Sequence, residues 1–315
     1  MPGLVSIGDA LAAVERTFAA GDCGLARSYP VVREGLGQHG AVFGVKSGFD
    51  MSAGVLGLKA GGYWPENASM GLGNHQSTIL LFDPRTGRPS ALIGANYLTG
   101  VRTGAASALA IRHLARQDAS TLSLIGAGAQ AMHQVRAALA VRPLKRVIAW
   151  SPAAAQLESL GQQVRALGLE FDAAATAEQA VRAADILVTV TPSTSAIVMT
   201  EWVRPGTHIS AMGADTVGKQ ELASGLVAAA RVVVDSVEQA VTIGECQHAF
   251  KEGLLRREDL TETLGGLASG RLSGRQAHDE ITVFDSTGIA LQDLAPAAQA
   301  VARARELGLG VEVAV

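Results

Sequence analysis

The sequence predicts an α/β fold that combines a doubly wound parallel sheet with an antiparallel α+β region. From about residue 118 onwards, short apolar segments such as TLSLIGAG and RVIAW alternate with helical segments. This alternation is typical of buried parallel strands joined by helices. Before that point, STILLFD and RPSALIGANY flank the turn-forming tetrapeptide PRTG, which predicts an antiparallel hairpin.

The domain organisation follows from the length and from this change of pattern. A chain of 315 residues favours two domains rather than one. We expect an α+β domain formed by residues 1–116, to which the C-terminal segment 289–315 returns. Residues 117–288 are expected to form the nucleotide-type domain with the parallel sheet.

Four local signals predict individual elements. Ser6 followed by Asp9 is the signature of a capped helix, and Thr99 is expected to cap a long Ala-rich helix. The terminal VEVAV reads as a strand by alternation. Residues 41–64 are expected to form strands separated by Gly/Asp turns.

The composition excludes several classes of protein. Charged residues make up 17% of the chain, the net charge is −3, and no Lys/Arg run offers a footprint for nucleic acid or an anionic membrane. No stretch approaches the roughly 20 apolar residues of a membrane span, and the N-terminus lacks the apolar core of a signal peptide. Cys23 and Cys246 form no CxxC motif, which fits a reducing compartment such as the cytoplasm. The seven histidines lack metal-ligand spacing, so we expect no metal site.

The segment LSLIGAGAQA predicts a dinucleotide site of the Rossmann type. A buried strand leads into Gly126 and Gly128, and Ala131 occupies the third small position as a helix begins. Glycines allow backbone N–H groups to approach a pyrophosphate, and the helix N-terminus adds a positive dipole. The alternative is a strand-to-helix turn that needs glycine for its geometry alone.

The residue after the next strand bears on the choice of cofactor. An acidic residue there binds the ribose of NAD in many such folds. Here the strand ends in Trp150-Ser151-Pro152, with no acid to repel a 2′-phosphate and no arginine to hold one. The sequence leaves NAD and NADP open, and favours NAD because no cation is adjacent.

Five segments together resemble the ornithine cyclodeaminase/mu-crystallin family. Their order and spacing, rather than any single motif, carry the resemblance over essentially the full chain. The segments are NHQSTILLFDPRTGRPSALIGANYLTGVRTGAASALA, IGAGAQA, HISAMGADTVGKQEL, VVVDS with GECQHA, and TVFDSTGIALQDLA.

The resemblance implies a class of chemistry. The family contains cyclodeaminases, imine reductases, alanine dehydrogenases and an iminosuccinate reductase, all of which use a nicotinamide cofactor on amino acids or their imines. It also implies a homodimer, in which the antiparallel domain provides the dimer interface and part of the substrate site.

The resemblance also implies roles for individual residues. Lys59 matches the active-site lysine, and Arg102 matches the arginine that grips the substrate α-carboxylate. Arg27 matches a second carboxylate-binding arginine, with looser spacing. Asp215 matches the acid that handles the substrate nitrogen. The residues at cofactor-contacting positions are Thr78, Arg102, Gly126, Gly128, Ala129, Gln130, Ser151, Thr191, Met212, Gly213, Lys219 and Ser286.

Each assignment has a structural alternative. Lys59 lies in an apolar strand, where burial would lower its pKa and let it exchange protons near neutrality; it could instead face solvent by alternation. Arg102 could be a surface arginine of its helix, and Asp215 could cap a helical turn.

Lys46 bears on which of the family's activities this chain is expected to have. Many relatives carry an uncharged residue there, so a further cation beside Arg27, Lys59 and Arg102 indicates a dicarboxylate substrate. The leading hypothesis is a reductase that converts iminosuccinate to aspartate, with Lys46 on the distal carboxylate. Ornithine cyclodeaminase, alanine dehydrogenase, a cyclic ketimine reductase and a catalytically inactive cofactor-binding protein remain the alternatives. A solvated loop lysine is the alternative for Lys46 itself.

Overall fold

The computed structural model describes residues 3–314, which pack as two compact units. The first unit contains the chain up to Arg102 together with the chain from Ile289 onwards. The second unit is Thr103–Gly288. None of the helices within residues 3–314 is long and apolar enough to cross a lipid bilayer.

The described residues form ten α-helices and fifteen strands. The helices are α1 (Ile7–Asp22), α2 (Asn96–Leu114), α3 (Ala131–Leu139), α4 (Ala154–Arg165), α5 (Ala177–Ala183), α6 (Ser224–Ala229), α7 (Val237–Thr242), α8 (Cys246–Lys251), α9 (Leu264–Ala268) and α10 (Ala290–Glu306). The strands are β1 (Ala26–Ser28), β2 (Val32–Gly35), β3 (Val42–Asp50), β4 (Val55–Tyr63), β5 (His75–Phe82), β6 (Pro89–Gly94), β7 (Thr121–Ile125), β8 (Arg146–Trp150), β9 (Glu170–Ala173), β10 (Ile186–Thr189), β11 (Thr194–Val198), β12 (His208–Ala211), β13 (Gln220–Leu222), β14 (Arg231–Val234) and β15 (Thr282–Asp285).

The first boundary between the units differs from the expected one. The sequence predicts this boundary at residue 116, after the Ala-rich helix, but the boundary falls inside α2. Ile111 and Ala115, near the C-terminal end of this helix, belong to the hydrophobic core of the second unit. The C-terminal part of α2 therefore belongs to the second unit, and the boundary lies nearer to the N-terminus of the helix.

The first unit is built on an antiparallel sheet of order β1-β3-β4-β5-β6, with β2 also paired to β3. The predicted hairpin is confirmed as β5 and β6, and the strands predicted within residues 41–64 are β3 and β4. One face of this sheet packs against α10. A Cβ atom on Gly57 would lie 3.1 Å from the Leu294 side chain, and one on Gly48 would lie 3.4 Å from Ala290. Glycine at these positions lets the helix approach the strands closely.

Three local predictions have different outcomes. The Ser6–Asp9 capping box is confirmed at the start of α1. The predicted Thr99 cap is wrong, because the Thr99 N–H already donates to the Ala95 carbonyl at 2.8 Å inside a helix that begins at Asn96. The predicted C-terminal strand is wrong for residues 311–314, where alternating valines find no strand to pair with; residue 315 lies outside the described residues.

The second unit contains the predicted parallel sheet, with seven strands in the order β14-β15-β12-β10-β7-β8-β9. All six neighbouring pairs are parallel. The chain moves outward from β7 in one direction through β8 and β9, and in the other through β10. Parallel sheets bind ligands beyond the carboxyl ends of their strands, next to such a reversal. The fold therefore places the candidate cofactor site at the ends of β7, β8, β10 and β12.

Candidate active site

The loop that follows β7 has the geometry of a phosphate-binding turn. Gly126 adopts a φ of +107°, which L side chains rarely adopt, and a Cβ atom there would lie 2.9 Å from the carbonyl oxygen of Val190. A Cβ atom on Gly128 would instead meet open space. Ala129 and Gln130 complete the turn that enters α3, whose N-terminal N–H groups can receive an anion. These residues fit the pyrophosphate of a dinucleotide.

The tip of β8 is occupied by Ser151. Its hydroxyl oxygen accepts a hydrogen bond from the backbone N–H of Ala153 at 3.2 Å, which shapes the turn before α4. Arg146 is at the opposite end of β8 and forms an ion pair with Asp172. The strand therefore offers a hydroxyl, rather than a charge, at the position where a ribose would bind.

A buried glutamate ties together the loops that follow β10 and β12. Oε1 of Glu221 accepts the Thr191 N–H at 2.6 Å, and Oε2 accepts the Gly213 N–H at 2.9 Å and the Thr189 hydroxyl at 2.6 Å. Burial raises the pKa of Glu221, although these hydrogen bonds oppose the rise. Thr191 and Gly213 were predicted as cofactor contacts, whereas Glu221 was not singled out in the sequence.

Two further predicted cofactor residues lie at the same edge of the sheet. Met212 donates its N–H to the Thr189 carbonyl at 2.9 Å as β12 ends. Ser286 follows β15, donates its N–H to the Ala211 carbonyl at 3.0 Å and its hydroxyl to Asp235 at 3.3 Å. Asp235 also accepts the Gly288 N–H at 2.6 Å, so the segment after β15 is held by one carboxylate.

Asp215 and Lys219 form an ion pair in the turn after β12. Lys219 Nζ lies 2.7 Å from Asp215 Oδ1 and also donates to the Gly213 carbonyl at 3.2 Å. The Thr216 hydroxyl donates to the same Asp215 oxygen at 3.1 Å. No helix forms here in the described residues, so the alternative of Asp215 as a helix cap is wrong. The structure thus brings together two predicted site residues, one for the substrate nitrogen and one for the cofactor.

The first unit contains a buried group of charges that we call the basic cluster: Lys46, Lys59 and Arg102 around Asp293. Lys46 and Lys59 are directly opposite each other on β3 and β4, and each side chain is less than a tenth exposed. Lys59 Nζ lies 3.0 Å from Asp293 Oδ1 and donates to the Thr99 hydroxyl at 3.2 Å. Arg102 Nε lies 2.8 Å from the same Asp293 oxygen. Two predicted residues therefore contact one carboxylate, and the third, Lys46, is opposite one of them.

The basic cluster shifts the pKa values of its members. Burial lowers the pKa of Lys59 to about 7; Asp293 opposes this shift, while Arg102 and Lys46 add to it. Burial alone would raise the pKa of Asp293, but Arg102, Lys59 and Lys46 outweigh it and hold that pKa below its usual value. Asp293 is therefore ionised near neutral pH, whereas Lys59 can both donate and accept a proton there. The solvent-facing alternative for Lys59 and Lys46 and the surface alternative for Arg102 are wrong.

Asp293 is the member of the basic cluster that sequence reasoning missed. It lies in α10, within the quoted segment TVFDSTGIALQDLA, and is 1% exposed. Its neighbours Ala290 and Leu294 on the helix are also buried. The sequence signal that could have identified Asp293 is a carboxylate on the apolar face of an amphipathic helix, because a charge there requires a partner.

Two predicted site residues lie on the other face of the antiparallel sheet. Arg27 is opposite Phe49, three residues from Lys46 along β3, and side chains alternate between faces. It is exposed, and its guanidinium lies 5.7 Å from the centre of the Tyr29 ring. Thr78 is opposite Ala60, the neighbour of Lys59, and is also exposed. Within the first unit, neither residue joins the basic cluster.

The relatives found by comparison with known proteins agree on one family. Residues 3–307 match the ornithine cyclodeaminase/mu-crystallin family. The chain is 48% identical over 313 residues to the iminosuccinate reductase of Paracoccus denitrificans, covering 99% of this chain and 97% of that protein. The crystal structure of that reductase in complex with NAD⁺ has a TM-score of 0.93 to this fold at 47% identity, covering 100% and 97% of the two chains.

Two other solved structures are equally similar in fold. The Thermococcus litoralis Δ1-pyrroline-2-carboxylate reductase, in complex with NADH and L-proline, has a TM-score of 0.96 at 30% identity and covers 99% and 97% of the two chains. An archaeal alanine dehydrogenase dimer with bound NAD has a TM-score of 0.94 at 35% identity, with coverage of 99% and 96%. The predicted family is confirmed: the chain belongs to the ornithine cyclodeaminase/mu-crystallin family.

Proposed function

We propose that this protein is an NAD-dependent reductase that converts iminosuccinate to L-aspartate. The observation that carries the proposal is the basic cluster, in which Lys59 and Arg102 contact Asp293 and Lys46 is opposite Lys59. Three cations and one carboxylate have a net charge of +2 when Lys59 is protonated. A doubly charged dicarboxylate complements this charge. The 48% identity to the iminosuccinate reductase of Paracoccus denitrificans supports the same substrate.

The reaction needs a hydride on the imine carbon and a proton on the imine nitrogen. A bound reduced nicotinamide supplies the hydride, and the glycine turn after β7 would hold its pyrophosphate. We favour NAD over NADP because the tip of β8 has no cation for a 2′-phosphate, and because the three similar structures contain NAD⁺, NADH or NAD.

Three residues of the basic cluster, together with Asp215, have separate roles in binding the substrate and in transferring the proton. Arg102 holds the substrate α-carboxylate, because a guanidinium can bind a carboxylate with two parallel hydrogen bonds and so fixes its orientation. Lys59, with a pKa of about 7, provides the proton that the imine nitrogen gains. Asp293 orients both cations through a single oxygen. Asp215, held by Lys219, is the second group that we propose for the substrate nitrogen.

Lys46 makes ornithine cyclodeamination the weaker candidate. Ornithine carries a distal ammonium group, which a buried lysine opposite Lys59 would repel. The same lysine would attract the distal carboxylate of iminosuccinate.

We also infer that the protein is a cytoplasmic homodimer in which the first unit forms the subunit interface and binds the substrate. The archaeal alanine dehydrogenase dimer supports the assembly, and the two free cysteines fit a reducing compartment. Light scattering after size-exclusion chromatography tests the assembly, since a monomer at micromolar concentration would contradict it.

The decisive experiment follows NADH oxidation by the purified protein. We expect the highest kcat/KM with oxaloacetate plus ammonium, and lower values with pyruvate plus ammonium or with a cyclic imine. Oxaloacetate without ammonium is the control for direct reduction of the ketone, and amino-acid analysis should identify aspartate as the product. No oxidation with any mixture, together with proline formation from ornithine, would overturn the proposal.

The Lys46→Met variant should lose its preference for a dicarboxylate. We expect kcat/KM with oxaloacetate plus ammonium to fall about 10- to 100-fold, as for the loss of a charged hydrogen bond, while the value with pyruvate plus ammonium stays within threefold. Both should be measured near pH 6.5, because Lys46 contributes to the lowered pKa of Lys59. An unchanged ratio of the two values would show that Lys46 does not bind the distal carboxylate.

A further inference from the structure

The helix α8 contains a buried glutamine, Gln247, that has no role in the cofactor site or the basic cluster as described above. This residue is fully buried. Its Oε1 accepts the Gly218 N–H at 2.8 Å. Its Nε2 donates to the carbonyl oxygens of Gly244 at 2.9 Å, Lys219 at 3.1 Å and Thr216 at 3.3 Å, so three acceptors share the two hydrogens of one NH₂ group. Both ends of the amide therefore have partners, as a buried polar group requires.

Three of these partners lie in the turn between β12 and β13. The turn contains Thr216, Gly218 and Lys219 and has no helix or strand in the described residues. Gly218 adopts a φ of +85°, a left-handed conformation that glycine favours. Next to Gln247 in α8, His248 Nε2 lies 3.2 Å from the Lys219 carbonyl oxygen. The turn is thus held from α8 through side-chain hydrogen bonds.

The same turn holds the carboxylate of Asp215. Asp215 Oδ1 lies 2.7 Å from Lys219 Nζ and accepts the Thr216 hydroxyl at 3.1 Å. The carbonyl oxygens of these two residues both accept hydrogen bonds from the Gln247 amide. The amide and the carboxylate therefore share two intermediate residues, and a displacement of these residues would move the Asp215 carboxylate.

The helix α8 is itself tied to two strands. The Cys246 N–H donates to Asp285 Oδ2 at 3.0 Å, at the end of β15. Glu245, which precedes α8, accepts the N–H groups of Glu221 at 2.9 Å and Leu222 at 2.6 Å in β13. A side chain can position another group only if its own support is fixed. These bonds connect α8 to the parallel sheet and to the strand that follows the turn, so the glutamine has such a support.

Glutamine is the side chain that the partners of residue 247 require. A backbone N–H needs an acceptor and the three carbonyl oxygens need donors, and an amide supplies both from one planar group. A glutamate would turn an oxygen towards the carbonyls, and a methionine would remove the side-chain partner from all four backbone groups. Packing alone would be served by an apolar side chain of similar length. The amide therefore indicates a role in holding the turn.

We infer, on the basis of the proposed function, that Gln247 is a positioning residue that holds the Asp215 carboxylate, through Thr216 and Lys219, in the place where it binds the substrate nitrogen. An error of about 1 Å in the position of a catalytic group can lower a rate about 100-fold. We expect the loss of this glutamine to act on kcat more than on NADH affinity, because Glu221 binds the N–H groups that directly follow β10 and β12.

A double-mutant cycle tests this inference. With oxaloacetate plus ammonium and saturating NADH, we expect Gln247→Met to lower kcat about 10- to 100-fold in the wild-type chain. In the Asp215→Asn background, the same substitution should lower kcat less than about threefold, because no carboxylate remains to be positioned. Fluorescence titration of Gln247→Met should give a dissociation constant for NADH within about threefold of the wild-type value.

Two further variants make the result specific. A Cβ atom on Gly218 would meet open space, so Gly218→Ala disturbs the turn through backbone strain alone. We expect it to lower kcat about 3- to 10-fold, again only when Asp215 is present, and it carries the test if Gln247→Met does not fold. Gln179→Met removes a comparable hydrogen bond, from the Ala175 N–H at 2.8 Å in another loop of the second unit, and should leave kcat within about threefold.

The possible results separate the inference from the proposed function. A loss of kcat that disappears in the Asp215→Asn background supports the inference. The same loss in both backgrounds, an unchanged kcat in Gln247→Met, or a loss of NADH affinity as large as the loss of kcat would overturn it. In these cases the proposed function stands if the wild type reduces iminosuccinate. If the wild type reduces neither oxaloacetate plus ammonium nor pyruvate plus ammonium, the proposed function fails and the inference fails with it.

Discussion

Replacing Asp293 with asparagine is expected to lower kcat/KM for the imine reductase reaction by about two to three orders of magnitude. One oxygen of Asp293 holds both Lys59, at 3.0 Å, and Arg102, at 2.8 Å, in a site where all three side chains are buried. Removal of one partner from such a buried group costs about 3–5 kcal/mol, because the remaining charges are left uncompensated. The same free energy lost from the transition state gives a rate effect of this size.

The pH dependence of this variant distinguishes a role in catalysis from a role in folding. Asp293 is the partner that raises the pKa of Lys59 against its burial. Without its negative charge, that pKa should fall below about 7, so more of the lysine is neutral at pH 7 and the proton donor is lost. The wild-type kcat/KM should decline as pH rises through about 7, and in Asp293→Asn the decline should begin at lower pH.

Asp50 provides the matched control for Asp293. It is also a buried carboxylate of the first unit, but it accepts a hydrogen bond from the Thr17 hydroxyl of α1 at 2.8 Å instead of binding Lys59. We expect Asp50→Asn to lower the free energy of unfolding by about 1–3 kcal/mol and to leave the pH profile unchanged. If Asp293→Asn loses activity without any shift of the alkaline decline, Asp293 does not control the proton on Lys59.

Predictions that depend on local sequence were the most successful. The capping box of α1, the β5–β6 hairpin and the glycine turn after β7 each depend on residues close together in the chain. Their hydrogen bonds or φ angles are determined by those residues, whatever the rest of the chain does. The parallel sheet could be predicted equally well from the sequence, because continuous apolar segments have few other ways to be buried.

Long-range partners could not be predicted in the same way. Asp293 meets Lys59 and Arg102 because α10 packs on the sheet of the first unit. The expected return of residues 289–315 to that unit did not indicate which side chain of the helix would meet Lys59. Thr99 looked like a helix cap because its hydroxyl suits that role, but the hydroxyl serves Lys59 instead. Local propensity does not reveal a partner that lies far along the chain.

The position of Arg27 shows how strand register limits such reasoning. The resemblance placed Arg27 beside the substrate carboxylate, but β1 pairs with β3 so that Arg27 is opposite Phe49. A shift of one residue in this pairing would move Arg27 to the other face of the sheet, where Lys46 lies. Gly-rich strands such as GVKSG give little hydrophobic pattern to fix that register. The assignment therefore needed the observed pair.

The second large effect is expected in the cofactor site, where Glu221→Gln should weaken NADH binding by about 10- to 100-fold. Ionised Glu221 accepts three hydrogen bonds, from the N–H groups of Thr191 and Gly213 and from the Thr189 hydroxyl. An amide has only one acceptor oxygen, so its NH₂ group would face one of the backbone N–H groups. Each charged hydrogen bond contributes about 1.5–3 kcal/mol, and its loss would release a loop that we expect to contact the cofactor.

Fluorescence titration with NADH measures this effect without turnover. Because burial raises the pKa of Glu221, its protonation should weaken NADH binding by the wild type as pH falls, and this dependence should be absent in Glu221→Gln. Glu245→Gln is the matched control, since Glu245 is buried and accepts the backbone N–H groups of Glu221 and Leu222 without contacting Thr191 or Gly213. We expect it to lower the unfolding temperature more than it lowers NADH affinity. If both variants lose affinity only in proportion to their loss of stability, Glu221 supports the fold and does not position the cofactor loops.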